Sequence, residues 1–121
     1  MEKIFVYGSL RKGMYNYSYF ADGLNHLETK ELKGYRMHSL GAYPFVVEDP
    51  DKSIVVDVME VEPTFKRHID NMEFGAGYRA KEETLDDHEG TIYYFETPRP
   101  NTSEVENGDW VKYKEDAKTL L

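Results

Sequence analysis

The chain has 121 residues, a formal net charge of −8 and no cysteine. That length suits one domain, residues 1–121, with a core of its own. The missing cysteines exclude disulfides, thiolate nucleophiles and thiolate metal sites. Hydrophobic residues make up 40% and aromatic residues 14%, led by ten tyrosines, a density that excludes wholesale disorder. No basic run exceeds a pair such as Arg11-Lys12, so binding to the phosphates of DNA or RNA is not expected.

The opening MEKIFVYGS enters a strand pattern at once, without the long apolar stretch of a signal peptide. Nowhere does an apolar run approach the roughly 20 residues that cross a bilayer. The expectation is a soluble, cytoplasmic protein with no membrane partner.

Residues 3–7 predict a first strand apolar enough for the middle of a sheet. After a glycine loop, Asn16 is placed to cap a short helical segment reaching about Ala21, with Gly23 at its end. A long strand is predicted from about Thr29 to Ser39, bent at Gly34. A short strand over 45–47 and an Asp-Pro-Asp turn follow. The valine-dense run over 54–61 is the clearest strand. Pro63 sits well in the first turn of a helix whose apolar face carries Phe65, Ile69 and Met72, ending before Gly75 and Gly77. Strands over 78–85 and 91–96 form a hairpin around DDHEG. A proline-rich link, TPRPNTS, leads to a tail with Gly108, Asp109, Trp110 and Tyr113, the tryptophan read as a packing anchor. The order predicts an α+β fold: a small mixed sheet, curled toward a barrel, with two short helices.

The stretch FVYGSLRKG raises the chemical question, because a strand ends in a loop with little side chain and much accessible backbone. Gly8 and Gly13 have P-loop spacing, but Met14 and Tyr15 stand where Lys and Ser or Thr must follow. Ser9 and Leu10 break the dinucleotide fingerprint. Ser9 lacks the elbow and partners of a nucleophilic serine. His26, His38, His68 and His88 are scattered without ligand spacing, so no metal is expected. Glu73 stands where a helix gives way to a two-glycine loop. A carboxylate there can be desolvated and suited to general base work. From the residues alone the favoured reading is an ordinary solvated glutamate, whose charge opposes the helix dipole, since most surface acids have no catalytic role.

In order and spacing, VYGSLRKG, LGAYP, the valine strand and the Asp-x-x-Glu before a Tyr-Arg strand resemble the γ-glutamylcyclotransferase-like family, across residues 3 to about 96. Gly108-Asp109-Trp110 resembles the tail of its short bacterial members. The resemblance implies that Tyr7, Gly8, Ser9 and Leu10 hold a γ-glutamyl group, mainly through backbone N–H donors. It implies Glu73 as the catalytic acid/base, with Tyr78 and Tyr94 beside the site. Departures are Val56 and Asp57, where a Gly-Glu pair is common, and Phe74, where glycine is common. The implied reaction is internal aminolysis: the substrate's α-amine attacks its own γ-carbonyl, releasing 5-oxoproline and an amine or amino acid. No cofactor is needed, and the implied protein is a monomer or homodimer acting on a small molecule. The competing expectation is a binding module on the same fold, holding a γ-glutamyl-like ligand or a protein partner without turnover.

Overall fold

The computed structural model describes residues 1–14, 17 and 20–119; the cap expected at Asn16 lies outside them. The strands are β1 (Glu2–Val6), β2 (Leu24–Ser39), β3 (Pro44–Val61), β4 (Arg79–Leu85), β5 (His88–Tyr94) and β6 (Ser103–Glu104). Two helices are described with their bounds, α1 (Pro63–Gly75) and α2 (Trp110–Thr119), and a 3-10 turn, Ala21–Gly23, leads into β2. All six strands join one mixed sheet in the order β4-β5-β1-β3-β2-β6. It is curled into a half-barrel. β1 runs antiparallel to β3 and parallel to β5, inside the sheet as its apolar run predicts.

Period-two alternation divides the apolar residues between two cores. On one face Ile4, Val6, Met59 and Val61 pack with Ile69 of α1. On the other, Phe5, Val56 and Val58 pack with Trp110 of α2, which is fully buried. Among the described residues no helix is long and apolar enough to cross a membrane.

Two expectations change. The strands predicted over 45–47 and 54–61 are one strand, β3, and Asp49-Pro50-Asp51 does not turn the chain. Lys33 pairs with Ser53 and Tyr35 with Glu48, so residues 49–52 bulge opposite the single residue Gly34. Pro50, lacking an N–H, is harmless inside a bulge. Gly34 takes the required left-handed backbone at φ 102°. The extra residue also resets the alternation, so that Leu32, Tyr35 and Met37 all face the same core. Second, β2 starts at Leu24, not Thr29, because Leu24 pairs with Val61 and β3 recruits the polar stretch between.

The tail is clipped to β3. Val55 donates its N–H to the Gly108 carbonyl at 2.8 Å. Gly108 sits at φ 66°, and a Cβ there would lie 2.3 Å from the Ser53 carbonyl oxygen. Gly108→Ala is therefore expected to lower stability by about 2–4 kcal/mol, combining left-handed strain with overpacking. An unchanged melting temperature would mean that the tail yields without cost.

Candidate active site

The site begins where β1 ends. Past Val6 its two neighbours close on each other, Phe95 donating its N–H to the Val46 carbonyl at 2.9 Å. The chain must leave the sheet, and it does so through Tyr7-Gly8-Ser9-Leu10. At Gly8 a Cβ would lie 2.9 Å from both Cγ and Cδ of Pro44. The glycine is thus explained by the proline ring packed on it as well as by exposed backbone. Arg11 donates its N–H to the Gly8 carbonyl at 3.0 Å, and Tyr17 donates to the Ser9 carbonyl at 3.1 Å. Among the described residues no acceptor takes the N–H of Gly8 or of Leu10.

Glu73 arrives from the last turns of α1. Its carbonyl accepts the N–H of Ala76 at 3.1 Å and of Tyr78 at 3.0 Å. Gly77, at φ 96°, supplies the left-handed step that reverses the chain into β4. This wrapping fixes the backbone from which the Glu73 side chain enters the cavity. Burial pushes the Glu73 carboxyl up to about 7, because a charged carboxylate loses hydration there. Among the described residues, no cation or side-chain donor pairs with it.

Three phenols surround this carboxyl, each with its proton committed. Tyr7 donates to the Tyr93 carbonyl at 2.5 Å, Tyr78 to the Pro44 carbonyl at 2.5 Å, and Tyr93 to Asp70. Burial holds all three well above the usual phenol range, the nearby Glu73 charge adding to it. They stay neutral, and their remaining hydrogen-bonding capacity is as acceptors.

The resulting cavity measures about 310 Å³ and is lined by Tyr7, Gly8, Ser9, Leu10, Glu73 and Tyr78. These six of the residues singled out from sequence come together. Tyr94 does not join them. Adjacent strand residues face opposite sides, and it is Tyr93 that lines the cavity, while Tyr94 packs against the opposite core. Sequence reading also missed Tyr43 and Pro44, from the β2–β3 hairpin, as lining residues. Met72, expected on the buried face of α1, is 40% exposed at the cavity rim.

Neither Val56 nor Phe74 lines the cavity: Val56 is fully buried in the core beneath α2, and Phe74 is 51% exposed. Asp57 instead anchors the glycine loop, accepting the Lys12 N–H at 2.8 Å and the Thr29 hydroxyl at 2.6 Å. Among the described residues no cluster of three or more His, Asp or Glu has metal-holding geometry.

Comparison with known proteins agrees with this architecture. The family model described as "Gamma-glutamyl cyclotransferase, AIG2-like" matches residues 4–112. A Methanocaldococcus jannaschii protein named "Putative gamma-glutamylcyclotransferase" is 32% identical, over 94% of this chain and 99% of that one. A Vibrio cholerae protein of the same name is 32% identical, over 88% and 93%. Among solved structures, an uncharacterized protein from Pyrococcus horikoshii superposes with a TM-score of 0.84 at 24% identity, covering 98% of both chains. The protein ytfP of Escherichia coli gives a TM-score of 0.74 at 25% identity, covering 93% of this chain and 98% of that one. A family match spanning nearly the whole chain, joined to the same fold, has one conclusion: the chain belongs to the gamma-glutamyl cyclotransferase, AIG2-like family.

Proposed function

We propose that the protein is a γ-glutamylcyclotransferase-type enzyme that cleaves a γ-glutamyl amide by internal aminolysis, with Glu73 as general acid/base. The observation that carries this reading is a desolvated carboxyl with no protein counter-charge, lining one cavity with a backbone-rich loop.

In this mechanism the substrate's α-ammonium gives a proton to the Glu73 carboxylate. The freed amine attacks the γ-carbonyl carbon, forming the ring C–N bond and moving the carbonyl π pair onto oxygen. When the tetrahedral adduct collapses, the bond to the leaving nitrogen breaks and Glu73 returns its proton there. It then relays the second proton of the ring nitrogen to it, so the amine departs as an ammonium and the ring nitrogen is left as a neutral lactam N–H. The protein ends in its starting protonation state, with 5-oxoproline and an amine as products. A carboxyl near 7 suits both halves, since it takes and returns a proton at similar cost around neutral pH. Backbone N–H groups of residues 8–10 hold the substrate carboxylate or the developing oxyanion. Nucleophile and electrophile share one molecule, so a cavity that selects the folded-back conformer supplies much of the rate. Tyr7 and Tyr78 are walls and acceptors, not acids.

The test is release of 5-oxoproline from a panel of γ-glutamyl amides and γ-glutamyl amino acids. Turnover of at least one member is expected, and inactivity on all of them would favour a binding module. In a crystal soaked with 5-oxoproline, the product carboxylate or ring carbonyl is expected within hydrogen-bond distance of the N–H groups of residues 8–10. Ligand density reproducibly elsewhere, with that loop empty, would remove the loop from the mechanism.

A further inference from the structure

Of the three phenols around Glu73, two give their protons to backbone carbonyls that the sheet holds in place, Tyr7 to Tyr93 and Tyr78 to Pro44. The third gives its proton to a side chain. Tyr93, buried on β5 and lining the cavity, donates to the carboxylate of Asp70. Asp70 also receives Lys66, whose Nζ lies 3.2 Å from both carboxylate oxygens. Asp70 stands one turn before Glu73 on α1. Side chains at i and i+3 are neighbours on one helix face, with their Cβ atoms about 5–6 Å apart. The Tyr93 hydroxyl is therefore offered two carboxylates one turn apart, and it takes the one that is not the proposed base.

The choice has a physical cause. Its ion pair with Lys66 makes Asp70 a charged acceptor, and hydrogen bonds to such an acceptor are the strong ones. Glu73 is desolvated and has no such counter-charge among the described residues. A phenol turned to Glu73 would hydrogen-bond its charged form, which favours ionisation and weakens the base. It would also cover an oxygen that has to receive the α-ammonium proton. The other titratable groups facing this corner leave the task to Asp70. The protons of Tyr7 and Tyr78 are already placed, Tyr43 lines the cavity from the β2–β3 hairpin, and the charge of Glu2 on β1 reaches Tyr93. No lysine, arginine or histidine lines the cavity. We infer that Asp70 is a positioning residue: with Lys66 holding its charge, it captures the Tyr93 hydroxyl proton and keeps that donor off Glu73. This rests on the general acid/base role proposed above and deepens it.

Titration of the Glu73 carboxyl reads this without any substrate. The protein is isotope-labelled at its glutamate carboxyl carbons and followed by NMR, the Glu73 signal being identified by its loss in Glu73→Gln. Asp70→Ala frees the Tyr93 hydroxyl to turn to Glu73, so the Glu73 midpoint is expected to fall by about one pH unit or more. The acid limb of kcat/KM should move with it. Adding Tyr93→Phe to Asp70→Ala removes the donor and should bring the midpoint back toward the parent value. Tyr93→Phe alone should leave the midpoint where it is, because the hydroxyl it removes was already on Asp70. Asp70→Asn keeps an acceptor oxygen without the charge and should shift the midpoint less than Asp70→Ala does. Equal shifts in the Asn and Ala variants, unrelieved by Tyr93→Phe, would trace the effect to lost charge and overturn the inference. A midpoint unmoved in folded Asp70→Ala would do the same. So would a midpoint raised in Tyr93→Phe, a variant that decides the point even where Asp70→Ala does not fold. The expected titrations without turnover of any γ-glutamyl amide leave the role of Asp70 standing and remove the catalytic reading. Turnover with an unmoved midpoint does the reverse.

Discussion

Replacing Glu73 with Gln is expected to lower turnover of a γ-glutamyl substrate by about 10²–10⁴-fold, a loss of about 3–5 kcal/mol of barrier stabilisation. Gln keeps the shape of the side chain and removes the base, so ligand affinity is expected to persist. The same substitution is expected to stabilise the protein at pH 8. Burial raises the Glu73 carboxyl from 4.5 to about 7. Its folded-state value thus lies above its unfolded value, and the folded protein binds the proton more tightly. Stability contributed by that proton is present below about pH 4.5 and is lost as pH rises through 7. The difference amounts to at most about 3 kcal/mol, and the partial exposure of Glu73 at the cavity reduces it. Glu73→Gln, which cannot ionise, escapes the loss. Melting curves at pH 4 and pH 8 on both proteins check this. The variant should gain at pH 8 relative to the parent and not at pH 4, with its rate collapsed at pH 8, where the parent is active. A glutamate with a purely structural role would lose stability on substitution, with activity reduced only in proportion to folded protein.

The pH dependence of kcat/KM follows from the same carboxyl. Its rising limb is expected near pH 7, where Glu73 becomes the carboxylate that can accept the α-ammonium proton, and that limb should vanish in Glu73→Gln. A limb near pH 4.5 would mean that the carboxyl is hydrated in solution and that the cavity does not desolvate it.

Much of this arrangement is legible in the sequence, and the parts that are not have a common cause. β1, the valine-rich half of β3 and helix α1 are local patterns, written in residues adjacent along the chain. The Asp49-Pro50-Asp51 segment reads as a turn because its residues individually favour one, yet pairing on both sides keeps it within β3. The choice between Tyr93 and Tyr94 depends on register: Tyr94 pairs with Arg79 and Tyr93 with Ala80, and no local pattern states which face the cavity occupies. Glu73 is an ordinary acid by composition and became a candidate through family resemblance; its desolvation is visible only once β1, β3 and α1 are brought together. The roles of Arg11 and Asp57 were equally hidden, since 45 residues separate Lys12 from the carboxylate that its N–H reaches.

That anchor has the second large expected effect. Asp57 is 1% exposed and Arg11 is 7% exposed. The Arg11 Nε lies 3.6 Å from the Asp57 carboxylate, its Nη1 donates to Asp109 at 2.8 Å, and Asp57 accepts the Lys12 N–H and the Thr29 hydroxyl. One carboxylate thus joins the glycine loop to β3 and β2, and one guanidinium extends the join to the residue before α2. Asp57→Ala would leave a buried cation with a single counter-charge and a loop N–H without its acceptor. The expected loss is about 3–5 kcal/mol, a large share of the roughly 5–15 kcal/mol that holds a domain folded. Asp57→Asn keeps the shape and one acceptor oxygen while removing the charge, and about 1–3 kcal/mol is expected. Because Asn leaves most molecules folded, it separates stability from positioning. A loop released from its anchor should raise KM for the γ-glutamyl substrate while kcat per folded molecule falls less. An unchanged KM beside a lowered melting temperature would show that Asp57 holds the fold without aiming the loop. The paired substitution Arg11→Met with Asp57→Ala removes the stranded cation, so its cost should be less than the sum of the two single costs. Stability would then partly return while KM stays high, because hydrophobic packing can replace a buried ion pair but cannot receive the Lys12 N–H.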